Sequence, residues 1–379
     1  MARVPAVQDI EPLPEADRIE GFAHPRETFV LFGHEDAEAA LRQAFDSGRM
    51  HHGWLITGPG GIGKATLAYR LARYAFAAPA QRSGPGLTVD EASPAARQVA
   101  ALSHAGLLAL RRPYDPKGKR HMSVVPVDEV RRLRAFLTHT AGDDVWRIVI
   151  VDTADDLNPA AANALLKSLE EPPPRTVFLL LSRDPAHLLP TIRSRCRVLA
   201  LKPLDLDAFA SALRAAQEAA GVDILAGDAV ARLHAASGGS VGRALALSAE
   251  KGLDLVDRVA AILAALPRID WPAVHALADE LGGASDARFA IFNELLLDGL
   301  EQIVRAAATG EGRPEHKTAA ARLIGKGRLA SWAGLWETVL RDTAEGLALN
   351  LDRKALLLDT FLRIEAVARG EPGAGAGPA

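Results

Sequence analysis

Residues Arg147–Leu201 read RIVIVDTADDLNPAAANALLKSLEEPPPRTVFLLLSRDPAHLLPTIRSRCRVLAL. Two β-rich apolar runs, Arg147–Val151 and Thr176–Leu181, flank a segment with helical spacing. Asn158 suits the N-cap, Pro159 the first turn, and Pro172–Pro174 stop the helix. Leu165, Leu166 and Leu169 share one face, with Lys167, Glu170 and Glu171 elsewhere. A strand ending in Asp152, a helix, a second strand and a loop with three arginines make half of a nucleotide-binding sheet.

Two motifs here carry a resemblance. Asn163–Pro174, NALLKSLEEPPP, followed by Ser194-Arg195-Cys196, is similar to the bacterial clamp-loader ATPases of the AAA+ superfamily. The resemblance implies an α/β RecA-like AAA+ domain with a parallel sheet, then a small helical lid and an all-α C-terminal collar. It also implies that Arg195 reaches across a subunit interface to a neighbour's nucleotide.

Upstream, Trp54–Thr57 is a short apolar run, and Gly58-Pro59-Gly60-Gly61-Ile62-Gly63-Lys64-Ala65 almost fits the phosphate-loop pattern G-x-x-x-x-G-K-[ST]. The glycines let backbone N–H groups converge on phosphate oxygens, and Lys64 would pair with the terminal phosphates. Leu67, Leu71 and Ala75 then follow at helical spacing. The magnesium-binding hydroxyl is missing: Ala65 stands in its place, and Thr66, turned about 100° further round the helix, is open to two readings, a substitute for that hydroxyl or, the favoured one, a helix-surface threonine. The resemblance makes Asp152 a magnesium-side carboxylate and expects a water-orienting glutamate next to it, where Thr153 stands. Asp155 and Asp156 read as loop and capping acids. Binding of ATP and magnesium is therefore expected to be weak or absent, and hydrolysis negligible.

Arg193 and Arg197 read as a solvated edge. Cys196 reads as a small buried residue, since no partner histidine is indicated. Gly239-Ser240-Val241-Gly242-Arg243 resembles the lid motif in which motor subunits carry a nucleotide-sensing arginine after G-S-hydrophobic. Here that position is Gly242, and Arg243 comes one later.

The 379 residues suit two or three domains, and 24% charged with 49% hydrophobic residues is an ordinary globular composition. A net charge of −3 argues against a protein that coats nucleic acid by global positive charge. The basic stretch Lys117, Lys119, Arg120, Arg131, Arg132 and Arg134 is open to two readings, a solvated insertion or a contact to DNA or a partner. His51 and His52 read as structural. The single cysteine excludes an internal disulfide framework and the four-cysteine zinc module frequent in the family. No run reaches the roughly 18 apolar residues of a membrane helix, and the N-terminus lacks a signal-peptide core, so a cytoplasmic location is the default.

The expected organisation is an extension over 1–25, the AAA+ domain over 26–201 with an insertion at 78–122, the lid over 202–252, the collar over 253–369 and a disordered tail over 370–379. Within the insertion Ala95–Leu110 has helical character. Val124–Leu137 resembles the strand and helix that precede the acidic strand in the family. Asn350–Ala368 reads as a strongly amphipathic last helix. The resemblance implies a hetero-pentamer with delta and gamma/tau subunits that loads the sliding β clamp on primed DNA within DNA polymerase III. Ala65 and Thr153 fit a stator-like member of it; the alternative is a gamma/tau-type motor.

Overall fold

The computed structural model describes residues 14–118, 120–139, 145–249, 252–325, 327–349 and 351–370. Expectations for 1–13, Lys119 and the tail beyond 370 lie outside the described residues. Two compact units divide between Leu245 and Ala246.

The first unit is a parallel sheet wrapped by helices. In chain order its elements are α1 (Glu35–Asp46), β1 (Gly53–Thr57), α2 (Lys64–Phe76), α3 (Pro94–Ala100), β2 (Leu107–Arg111), a two-residue ribbon of β3 (Tyr114–Asp115) and β4 (Arg120–His121), α4 (Val127–His139), β5 (Arg147–Asp152), α5 (Pro159–Glu170), β6 (Thr176–Ser182), α6 (Pro190–Arg193) and β7 (Arg197–Ala200). The five-stranded sheet runs β2-β5-β6-β1-β7, with every pairing parallel.

The strands are continuous apolar runs because both faces are covered. Trp54, Ile56, Ile148, Ile150, Val177, Leu179 and Leu181 pack with Leu67 and Leu71 of α2. The alternate residues Leu55, Val149, Val151, Phe178 and Leu180 pack on the other face with Leu133 of α4 and Leu165 and Leu169 of α5. The Asn158 side chain caps α5, as its position before Pro159 predicts.

Three expectations are corrected here. Only Ala95–Ala100 of Ala95–Leu110 is helical; Leu107–Arg111 is a sheet strand, paired with β5 from Leu107↔Ile148 to Arg111↔Asp152. A run as short as Leu107–Leu110 does not separate strand from helix by periodicity, and the open edge of β5 decides it. Val124–Leu137 yields helix α4 without a strand before it; Val125 forms an isolated bridge to Leu157. Thr66 is buried at 8% exposure instead of lying on the helix surface, because α2 is packed over almost its full circumference.

Three lid helices follow: α7 (Leu206–Ala220), α8 (Asp228–Ser237) and α9 (Val241–Ala249), the last spanning the division between the units. Asp205 caps α7, and Gly221 and Gly238 end α7 and α8 in left-handed backbone.

The second unit is all helix: α10 (Gly252–Ala265), α11 (Trp271–Gly282), α12 (Asp286–Thr309), α13 (Pro314–Leu323), α14 (Leu329–Ala348) and α15 (Arg353–Arg369). Three of its breaks hold Pro267, Gly283 and Gly310–Arg313, proline and glycine being the residues that interrupt helical spacing. Phe289, Phe292, Trp332 and Phe361 fill the core. The last helix is less cleanly two-faced than its sequence suggests. Leu362 is 55% exposed, whereas Glu365 is 7% exposed and accepts hydrogen bonds from the Ile269 N–H and Trp271 Nε1. That carboxylate has a buried partner set, so it tolerates the core-facing position. No helix among the described residues is long and apolar enough to cross a membrane.

Candidate functional site

Strand β1 feeds the glycine-rich turn 58–63 and helix α2 starts at Lys64, so the carboxyl ends of β1, β5 and β6 converge on this loop. Gly58, Gly61 and Gly63 all have positive φ, which only glycine adopts without strain. Pro59, Gly60 and Gly61 are exposed, and Ile62 is buried beneath them. His34 Nε2 lies 2.7 Å from the Ile62 carbonyl oxygen and pins the turn from below.

Lys64 is turned onto its own loop. Its Nζ donates to the Gly58 and Pro59 carbonyls, each at 2.6 Å, and the side chain is 6% exposed. Burial pushes its pKa down to about 8, against the pull of Asp152 and Asp155. Ala65 is half-buried against the core beneath.

The lid closes directly on the loop. Ser240 Oγ donates to the Gly60 carbonyl at 2.8 Å, and the Gly242 N–H donates to the Gly61 carbonyl at 2.9 Å. A Cβ at Gly242 would stand 2.8 Å from Gly61 Cα, and one at Gly61 would stand 2.6 Å from Ser240 Oγ. The sequence singles out Gly239–Arg243 as a lid motif; it does not reveal that the missing side chain at Gly242 is what permits this contact.

Asp152 ends β5, and its carboxyl is pushed up to about 7, first by burial and then by Asp17, with Lys64 opposing. Asp17 arrives on the segment before α1. His24 Nε2, fully buried, lies 2.9 Å from Asp17 Oδ2, and Arg111, the register partner of Asp152, holds Asp17 Oδ1 at 3.1 Å. Nothing in the sequence of that segment signals this approach. Thr153 Oγ is buried without a hydrogen-bond partner.

Asp155 accepts from Ser182 Oγ and from the Arg183 N–H, both at 2.7 Å, and so ties the end of β6 to the turn after β5. Asp156 is held by Arg112 at 3.1 Å and Arg183 at 3.5 Å. The aliphatic stem of Arg183 lies next to Gly60, which adds a cation beside the loop that sequence reading passed over. Among the basic residues, Arg131 and Arg132 pair with Asp128 and Glu129 on their own helix, which weakens the case for a nucleic-acid surface there.

Arg195 lies far along the chain from the loop, between α6 and edge strand β7. Its side chain is 35% exposed; one amine pairs with Glu170 at 2.7 Å and the other donates to the Thr191 carbonyl at 2.9 Å. Arg197 lies over the Trp54 ring at 5.1 Å, and Cys196 is pushed up to about 11 by burial, an inert thiol. A cavity of about 650 Å³ sits at the amino ends of the strands, lined by Phe45, His52, Trp146 and Arg175, away from the loop.

A family model described as "DNA polymerase III, delta subunit" matches residues 33–205. The DNA polymerase III subunit delta' of Escherichia coli is 31% identical over 331 residues, covering 86% of this chain and 92% of that protein. The delta' subunit of Pseudomonas aeruginosa is 40% identical over 145 residues, 38% of this chain and 41% of its own length. The gamma/tau subunit of Mycobacterium bovis is 32% identical over 174 residues, 44% of this chain and 27% of that protein. With the E. coli alignment spanning both units and the parallel sheet, lid and helical C-terminal unit in place, the chain belongs to the DNA polymerase III subunit delta' family of clamp-loader proteins.

Proposed function

We propose that this chain is a stator-like clamp-loader subunit that acts on a neighbour's ATP and turns over none of its own. The observation that carries the reading is the contrast between two sites. Arg195 is a partly exposed guanidinium on a fixed loop, while the carbonyls of Gly60 and Gly61 in the chain's own glycine-rich loop are tied to its lid. Supplied in trans, a planar guanidinium stabilises the charge of phosphoryl transfer, typically by about 10³–10⁵ in rate.

The residues around Lys64 do not fit a magnesium nucleotide. Position 65 has no hydroxyl, Lys64 is bound to loop carbonyls, and Asp152 holds its proton near neutrality. Thr153 supplies no carboxylate to orient an attacking water.

In this reading 26–201, 202–252 and 253–369 are the AAA+, lid and collar segments. The collar joins delta and gamma/tau subunits in a hetero-pentamer. Through that complex the chain helps place the sliding β clamp on primed DNA, as a cytoplasmic component of the DNA polymerase III holoenzyme. A gamma/tau-type motor would need Ser or Thr in place of Ala65 and Glu in place of Thr153. The test is ATP turnover by the purified chain with magnesium. Background turnover, unchanged in Lys64→Ala, is expected. Magnesium-dependent turnover on the order of 1 per second that disappears in Lys64→Ala would overturn the reading in favour of a motor.

A further inference from the structure

Glu170 is the last residue of α5, and a carboxylate at a helix C-terminus is opposed by the helix dipole. Its ion-pair partner is Arg195, at 2.7 Å. The helix that carries it is rigid: Leu165 and Leu169 are fully buried and Asn158 caps the other end. The backbone of Arg195 is also fixed, since its N–H donates to the Ile192 carbonyl and the following Cys196 packs into the core. Of the three alternating arginines, Arg195 meets a carboxylate, whereas Arg197 lies over an indole ring.

We infer that Glu170 is a positioning residue for Arg195, one that presents the guanidinium toward the neighbouring subunit; the inference rests on reading Arg195 as a trans-acting arginine. Glu170 and the Thr191 carbonyl engage one N–H on each terminal amine. A guanidinium has five N–H donors, so three remain for phosphate oxygens. Two fixed acceptors set the plane and direction of the group before a neighbour arrives. An unrestrained arginine would lose rotamer freedom on each engagement, and preorganisation removes that cost. The pair is half-exposed, so its own contribution to stability is small, and a phosphate can join it without breaking it.

The test uses the reconstituted clamp loader with Glu170→Gln, Glu170→Asp, Arg195→Ala and the Glu170→Gln/Arg195→Ala pair. The activity lost in Arg195→Ala defines the neighbour's site. Glu170→Gln should lower turnover there about three- to thirtyfold with the apparent KM for ATP unchanged, and Glu170→Asp should restore part of it. The double variant should be no slower than Arg195→Ala alone, since both act through one group. Melting temperatures of the variants should match the parent, so that a loss of turnover reports on the guanidinium and not on folding. If Glu170→Gln is as fast as the parent or faster while Arg195→Ala is impaired, Glu170 does not position the arginine, and the trans reading stands. If Arg195→Ala itself is normal, the trans reading falls and takes this inference with it.

Discussion

The Gly242 N–H donates to the Gly61 carbonyl oxygen at 2.9 Å, so the first turn of the lid helix α9 rests backbone to backbone on the glycine-rich loop 58–63. This is the position where the resemblance puts a nucleotide-sensing arginine in motor subunits. The glycine removes that cation and also allows the lid to seat where a side chain would hold it away.

The contact predicts a size limit at position 242. Gly242→Ala would bring a Cβ to 2.8 Å from Gly61 Cα, a backbone atom that cannot swing aside. Overpacking of this kind costs about 1–3 kcal/mol. Thermal melting should show that loss, and amide hydrogen exchange at Gly60–Lys64 should speed up as the lid lifts. Gly242→Arg should exceed Gly242→Ala in both. Unchanged exchange in both variants would mean that the lid does not hold the loop.

Asp152 gives a pH signature. Its carboxyl titrates at about 7 in the folded chain against an ordinary 3.8, so folding favours the protonated form. That contribution is complete below about pH 4 and is lost as pH rises through 7. Asp152→Asn, neutral throughout, should therefore stabilise the protein at pH 8, by no more than about 4 kcal/mol. The gain should shrink below pH 7 and vanish near pH 4. Melting curves across that range check it; a variant less stable than the parent at pH 8 would contradict the assignment.

Much of this architecture is legible in the sequence because it is local. Asn158-Pro159 starts α5, Pro172–Pro174 end it, and the glycines of 58–63 announce the turn before α2. The runs around Ile150 and Leu179 are long and bounded enough to read as strands. Leu107–Arg111 is not legible, since its four-residue apolar run becomes a strand only through the edge it meets. The site was half legible. Lys64, Asp152 and Arg195 are marked by motif, but Asp17, Arg183 and Glu170 gain their roles through contacts with residues far away in the chain, for which a single sequence holds no periodic signal.

The helical unit makes a separate prediction. Phe361 is fully buried, and Phe361→Ala should cost about 3–5 kcal/mol. If the collar carries assembly, that variant should lose association with gamma/tau and delta partners while the unit ending at Leu245 keeps its fold, as read by co-purification and limited proteolysis. Full association with a destabilised helical unit would place assembly elsewhere.

Arg197 and Lys64 are the controls for the arginine claim. Arg197→Ala loses the stacking on Trp54 and should cost under about 1 kcal/mol of stability, with no effect on ATP turnover by the complex. Lys64→Ala removes the donor to the Gly58 and Pro59 carbonyls and should likewise leave turnover unchanged.

The most direct measurement is ATP turnover by the reconstituted complex carrying Arg195→Ala, beside Arg195→Lys and Lys64→Ala. The account predicts an assembled complex in which Arg195→Ala removes the neighbour's share of turnover, Arg195→Lys fails to restore it because a point charge lacks the planar donor array, and Lys64→Ala is silent. Normal turnover in Arg195→Ala, or lost turnover in Lys64→Ala, would contradict it.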